Sequence, residues 1–130
     1  MLFRSPVLAV VGNLRAAKGY PDLIEAMTAL KERFPEIVCL CAGRDDSAGA
    51  IPAQAQARGV DGRMRWLGFV EEAQSVLAAA DLAVISSHWE GCPVNLLEAM
   101  RAGMASVATR VGGIPELLDA EIAAAAARRR

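Results

Sequence analysis

The sequence predicts an α/β fold: a doubly wound parallel sheet of five strands in the order 3-2-1-4-5, with helices on both faces. Three observations predict it. Short apolar runs recur along the chain and several close at a glycine. Each run alternates with a segment of helical character, and prolines sit near several helix starts, where a fixed φ and a missing N–H are tolerated. Strands that alternate with helices form parallel sheets with right-handed crossovers, and the common doubly wound order sets strands 1 and 4 side by side where the winding reverses.

Val7 to Val11 is a β-branched, apolar run ending at Gly12, which reads as a buried parallel strand. The loop Asn13 to Gly19 follows. Pro21 suits the first turn of the next helix, with Asp22 and Glu25 near its positive end, Leu23, Ile24, Met27 and Leu30 as its apolar stripe, and Lys31 and Arg33 near its negative end. Pro35 stops it. Ile37 to Ala42 is the second strand, ending at Gly43 before the polar turn Arg44-Asp45-Asp46-Ser47. Ile51 to Arg58 reads as a short helix closed by Gly59. Arg63 to Leu67 alternates as a third, edge strand, leading to Gly68-Phe69-Val70. Glu71 to Ala80 is a helix with Val76, Leu77 and Ala80 inward, and Leu82 to Ile85 is the fourth strand. A helix from about Pro93 to Ala102 is closed by Gly103, and Ala105 to Ala108 is the fifth strand. Gly112-Gly113-Ile114-Pro115-Glu116 opens a last helix, which the alanine run Ala123 to Ala127 extends.

The chain has 130 residues, the size of one domain, and no linker or repeat divides it. Its net charge is −1, which argues against nucleic acid as a partner; Arg128-Arg129-Arg130 reads as a solvated tail. No apolar run is long enough for a membrane span, and no signal-peptide layout opens the chain. Cys39 and Cys41 fall on one face of one strand and read as small buried hydrophobes; with Cys92 they form an odd set without metal-ligand spacing. A reduced, cytoplasmic protein with no metal site is expected.

The chemistry concentrates in two loops at the carboxyl ends of strands 1 and 4, which this strand order places across one crevice. Gly12 to Gly19 is neither a Walker A loop nor a dinucleotide fingerprint. Arg15 and Lys18 near a helix amino end nevertheless suit a diphosphate. The second loop runs from Ser86 to Pro93. Glu90 lies on that loop and Glu98 about a turn and a half into the following helix, so the two carboxylates are spaced to touch different parts of an elongated ligand; each can accept two hydrogen bonds from sugar hydroxyls. His88 has no second ligand type beside it, and Trp89 is expected to pack the loop.

Together these residues resemble the donor-binding domain of the retaining, group 1 glycosyltransferases of GT-B fold, whose domains are Rossmann-like. The resemblance covers about Val7 to Leu118. It rests on Gly12-x-Leu14-x-x-x-Lys18-Gly19, Ala42-Gly43, Arg65 to Val70, Ala80-Asp81-Leu82, Glu90 to Pro93 with Leu96 to Met100, Val107-Ala108-Thr109 and Gly112 to Glu116. It implies that Glu90 and Lys18 serve catalysis, Glu90 beside the donor sugar and Lys18 neutralising the leaving diphosphate. It implies that Glu98 holds the ribose hydroxyls. Backbone groups of Gly68, Phe69 and Val70 would meet the base, those of Gly91 and Cys92 the sugar, and those of Leu96 and Leu97 the phosphates, with Gly12 and Pro93 shaping the same site. The family often has arginine directly after the first glycine; here Asn13 stands there, with Arg15 as its substitute.

The implied function is transfer of a sugar from a nucleotide-diphosphate sugar, with retention, once an acceptor-binding domain completes the site. No cofactor beyond the donor substrate is implied. The implied partners are the nucleotide sugar and a separate acceptor-binding domain or a second copy of the chain. Family members have two domains, so residues 1–130 match one of them, without its final strand and closing helices, as in a fragment, split gene product or truncated homologue. On that reading the chain alone does not transfer sugar. The alternative from another class is a non-catalytic nucleotide- or nucleotide-sugar-binding module.

Overall fold

The computed structural model describes residues 4–120. Its strands are β1 (Val7–Val11), β2 (Val38–Ala42), β3 (Met64–Gly68), β4 (Leu82–Ile85) and β5 (Ser106–Ala108). They alternate with α1 (Tyr20–Arg33), α2 (Ala50–Ala57), α3 (Ala73–Ala78) and α4 (Val94–Arg101), and residues 114–120 are helical. The alanine run Ala123 to Ala127 and the arginines 128–130 lie outside the described residues.

Every pairing is parallel and the order is β3-β2-β1-β4-β5, as the sequence predicts, with β3 at an edge. Side chains alternate across a strand, and β1 shows how the two faces divide. Leu8 and Val10 pack with Leu23, Ile24 and Met27 of α1 and Ile51 of α2. Ala9, between them, packs on the opposite face with Val76 and Leu77 of α3 and Ala99 of α4. Cys39 and Cys41 of β2 are both wholly buried on the α1 face. Small residues dominate the second face, where Ala9, Ala42, Ala83 and Ala99 meet, so α3 and α4 approach the sheet closely.

Element ends differ by a residue or two from expectation, and local geometry explains the larger shifts. The helix expected from Glu71 starts at Ala73 because Glu72 is extended (φ −120°, ψ 97°). Pro93 stands just outside α4, at φ −79° and ψ 79°, and its carbonyl accepts the Leu96 and Leu97 amides at 3.0 and 3.2 Å. The start of β4 is locked to that of β1. The Asp81 amide donates to Val7 O at 2.7 Å, and Val7 N–H donates to the Asp81 carboxylate at 2.8 Å.

Among the described residues no helix is long and apolar enough to cross a membrane, and no group of three or more His, Cys, Asp or Glu side chains could hold a metal ion.

Candidate functional site

The carboxyl ends of β1 and β4 open into a cavity of about 370 Å³. Gly12, Asn13, Arg15 and Lys18 line it from the β1 loop, and Glu90, Cys92 and Glu98 line it from the β4 loop and α4. A second cavity of about 170 Å³ shares Val11, Gly12 and Asn13 with the first and reaches Phe69 and Val70. The crevice therefore has two lobes on either side of the end of β1. It brings together the two motif loops that the strand order predicts to face each other.

Backbone contacts hold these loops at fixed spacing. Gly19 ends the β1 loop at φ +69°, and a Cβ there would lie 1.8 Å from Ser86 O. Ser86 Oγ donates to Lys18 O at 2.9 Å, and the His88 amide donates to Ala17 O at 2.8 Å. On the far side Gly112, at φ +51°, leaves room for Glu90 O, which a Cβ would meet at 1.6 Å. Only glycine combines positive φ with so close an approach. Thr109 Oγ1 donates to Ser87 O at 2.5 Å. The β4 loop is thus clamped between its two neighbours. Beneath Gly12 lies Tyr20, wholly buried, whose hydroxyl donates to Gly12 O at 2.6 Å. Burial, with Cys41 and Cys39 alongside, pushes that hydroxyl's pKa far up, so it remains a donor.

The central contact is an ion pair. Lys18 Nζ donates to Glu90 Oε1 at 2.7 Å, and Ser87 Oγ donates to the same oxygen at 2.6 Å. Ser87 and Glu90 are the polar side chains buried in the described chain. Burial alone raises a carboxyl pKa. Here the hydrogen bonds from Lys18 and Ser87 and the lysine charge outweigh it and hold Glu90 below its usual value.

Arg15, on the same cavity wall, pairs with the β2 loop: its Nε donates to Asp46 Oδ2 at 2.7 Å, while Arg44 Nε donates to Asp46 Oδ1 at 2.7 Å. Two guanidinium partners bring the Asp46 pKa down to about 2. Asn13 Oδ1 accepts the Arg44 amide at 2.9 Å, so Asn13 ties the β1 and β2 loops together.

The remaining site residues divide. Gly91 and Cys92 are exposed on the loop rim, and Gly68 O accepts the Gly43 amide at 2.8 Å beside the second lobe. Phe69 is 78% exposed. Leu96 is buried with Ile85 and Ile114. Its amide and that of Leu97 already donate to Pro93 O, and from this helix it is Val94, Asn95 and Glu98 that line the crevice. Val94 and Asn95 carry no charge or pattern that marks them in the sequence.

Trp89 departs from the sequence reading: it is 72% exposed, with one edge of its ring near Gly91 of its own loop. Close backbone approaches at Gly19 and Gly112, and not the indole, hold the loop. His88 reaches Asp22 through Nε2, with both side chains exposed.

The family model for group 1 glycosyl transferases matches residues 5–129. A D-inositol 3-phosphate glycosyltransferase of Corynebacterium jeikeium is 32% identical over 126 residues, covering 90% of this chain and 30% of that protein. Mannosylfructose-phosphate synthase of Agrobacterium fabrum is 33% identical over 122 residues, covering 86% and 27%. The chain thus spans less than a third of these relatives. Among solved structures, Anabaena HepE in complex with UDP superposes with a TM-score of 0.77 at 27% identity, covering 88% of this chain and 32% of that one.

Proposed function

We propose that this chain, which belongs to the group 1 glycosyl transferases, is the donor-binding domain of a GT-B enzyme and takes a nucleotide-diphosphate sugar into the crevice between its β1 and β4 loops. The observation that carries the reading is the Lys18–Glu90 pair at 2.7 Å inside a cavity that Glu98 also lines. A cation for phosphate and two carboxylates for hydroxyl groups share one crevice. Anabaena HepE, similar over the same span, is seen in complex with UDP.

In this reading Lys18 faces the diphosphate and Glu98 accepts hydrogen bonds from the ribose hydroxyls. Glu90 lies beside the donor sugar. As the bond from sugar to diphosphate breaks, negative charge grows on the leaving oxygen. A lysine already oriented by Glu90 stabilises that charge without first having to be ordered. The nucleotide base takes the second lobe, beside Phe69 and Val70. Leu96 and Leu97 amides approach the phosphates only through the amino end of α4 that they share with Val94 and Asn95. The reaction proceeds with retention and calls for no cofactor besides the donor.

Transfer needs an acceptor hydroxyl held in attacking geometry. The first lobe is walled by the β1 and β4 loops and α4, and the second by the ends of β1 and β2 and the segment after β3, so the acceptor is presented by a facing domain or a second copy. The isolated chain therefore binds donor and at most hydrolyses it slowly. Its work is cytoplasmic, in keeping with the free cysteines Cys39, Cys41 and Cys92.

The test is calorimetry with UDP, GDP, ADP and the corresponding nucleosides. Glu98→Ala is expected to weaken the preferred nucleoside diphosphate by about 1.5–3 kcal/mol, the worth of hydrogen bonds to a charged group. Unchanged affinity would remove the ribose assignment.

A further inference from the structure

Resting on the diphosphate reading of the crevice, we propose that Asp46 is a positioning residue: it holds the Arg15 guanidinium at the crevice so that Arg15 and Lys18 together grip the diphosphate.

Chain geometry brings the two together. The β1 and β2 loops run parallel past the sheet edge, where Leu14 bridges to Asp45 and the Leu14 amide donates to Arg44 O at 2.9 Å. One residue further along each loop are Arg15 and Asp46. Leu14 is buried in the core, so its neighbour Arg15 turns outward by the alternation of an extended chain. It lines the same cavity as Lys18.

The bonding leaves Arg15 ready for an anion. Asp46 engages it through Nε at 2.7 Å. Its two terminal amino groups have no protein acceptor among the described residues. Lys18, by contrast, already faces the Glu90 carboxylate, so that pair carries no net charge. Arg15 and Arg44 share the one Asp46 carboxylate, and of the two arginines Arg15 is the one that lines the crevice.

Among the described residues the Asp46 carboxylate caps no turn. Its neighbour Asp45 builds the turn, accepting Ser47 N and Ser47 Oγ on one oxygen and Gly49 N on the other. Among the described residues the hydrogen bonds of the Asp46 carboxylate go to the two guanidinium groups alone.

Two effects of Asp46 on a diphosphate oppose each other. Its charge repels the ligand, but a carboxylate at the protein surface is screened by water and salt. Its bond fixes an arginine that otherwise has many rotamers, and prior ordering of a forked donor lowers the cost of binding. The second effect dominates in this proposal, which fixes the sign of the test.

The experiment uses the full chain, titrated with UDP, uridine and inorganic pyrophosphate, the last a probe independent of the base. Arg15→Ala is expected to weaken UDP and pyrophosphate by about tenfold or more, as for the loss of one charged hydrogen-bonding group, Asp46→Asn by about five- to tenfold through lost ordering of that group, and both to leave uridine unchanged. In the Arg15→Ala background Asp46→Asn should have no further effect, because the two act as a unit, and Asp46→Glu should restore most of the affinity. Thermal unfolding checks the fold of each variant. If Asp46→Asn does not fold, Arg15→Lys reads the same coupling, since it keeps the charge and loses the fork. Unchanged or tighter UDP binding in Asp46→Asn, or an equal loss with and without Arg15, overturns the proposal. If Lys18→Met and Glu98→Ala also bind UDP like the parent chain, the donor-site reading falls with it. If those two weaken UDP and Asp46→Asn does not, only the role of Asp46 falls. A parent chain that binds none of the three probes overturns both.

Discussion

Lys18 and Glu90, 72 residues apart in sequence, meet at 2.7 Å in a crevice whose walls are set by backbone contact. Lys18 therefore has two roles: it compensates a buried carboxylate in the free protein and offers charge to a phosphate in the bound one. Each role has its own measurable signature.

Lys18→Met keeps much of the stem and removes the charge. Because Glu90 is then left with Ser87 as its partner, unfolding stability should fall by about 1–3 kcal/mol. Affinity for a nucleoside diphosphate should fall more than affinity for the nucleoside, and the difference should shrink in added salt. Equal losses for both ligands in calorimetry would mean that Lys18 shapes the loop and does not pair with phosphate.

Acid should destabilise the fold in a defined window. Glu90, Asp46, Asp45 and Asp81 all have their pKa values lowered in the folded chain, Asp46 to about 2. A carboxyl whose folded pKa lies below its unfolded value contributes stability above the unfolded value and loses it as pH falls through the folded one. From ordinary values of 4.5 for Glu and 3.8 for Asp, the urea midpoint should be level at neutral pH and decline from about pH 4.5 towards pH 2. Glu90→Gln should flatten the upper part of that decline. A midpoint that rises on acidification would contradict the assignment.

Gly112→Ala should cost about 2–4 kcal/mol and disturb the site as well, since the new Cβ collides with Glu90 O at a positive φ. Gly62→Ala is the control: nothing lies within 4 Å of a Cβ there, so its unfolding temperature should stay near the parent's. A Gly112→Ala chain as stable as the parent would show that the two loops can part freely.

Ser106→Ala should be neutral or stabilise by up to about 1 kcal/mol. The Ser106 hydroxyl is buried without a hydrogen-bond partner among the described residues, and removing an unsatisfied group relieves a desolvation cost. A clear loss of stability on chemical denaturation would reveal a partner for that hydroxyl.

What the sequence displays and what it hides follow from the range of the forces involved. The strand order is legible because apolar runs such as Val7 to Val11 alternate with helices, and a chain so patterned has few ways to bury them. The facing of the Lys18 and Glu90 loops follows from that order. The direct contact between those two side chains is hidden, because it depends on ångström-scale spacing set by Gly19 and Gly112 against carbonyls far away in sequence. The Arg15–Asp46 pair is hidden for the same reason: it depends on the parallel run of two loops. Trp89 is misread because indoles usually find interior volume, and here close main-chain approaches hold the loop while the ring stays exposed.

The phenol beneath Gly12 has a dynamic consequence. Tyr20 is a wholly buried residue of the main core and bonds directly to the crevice floor at Gly12 O, whose own amide donates to Ala42 O at 2.8 Å. Lifting that floor would require pulling a phenol out of the core, a motion that belongs to global unfolding and not to local loop opening. In deuterium exchange the Gly12 amide should therefore be protected as strongly as the central strands, while the exposed rim at Gly91 and Cys92 exchanges early. A ligand entering this crevice meets a floor anchored in the core beneath a solvent-exposed rim.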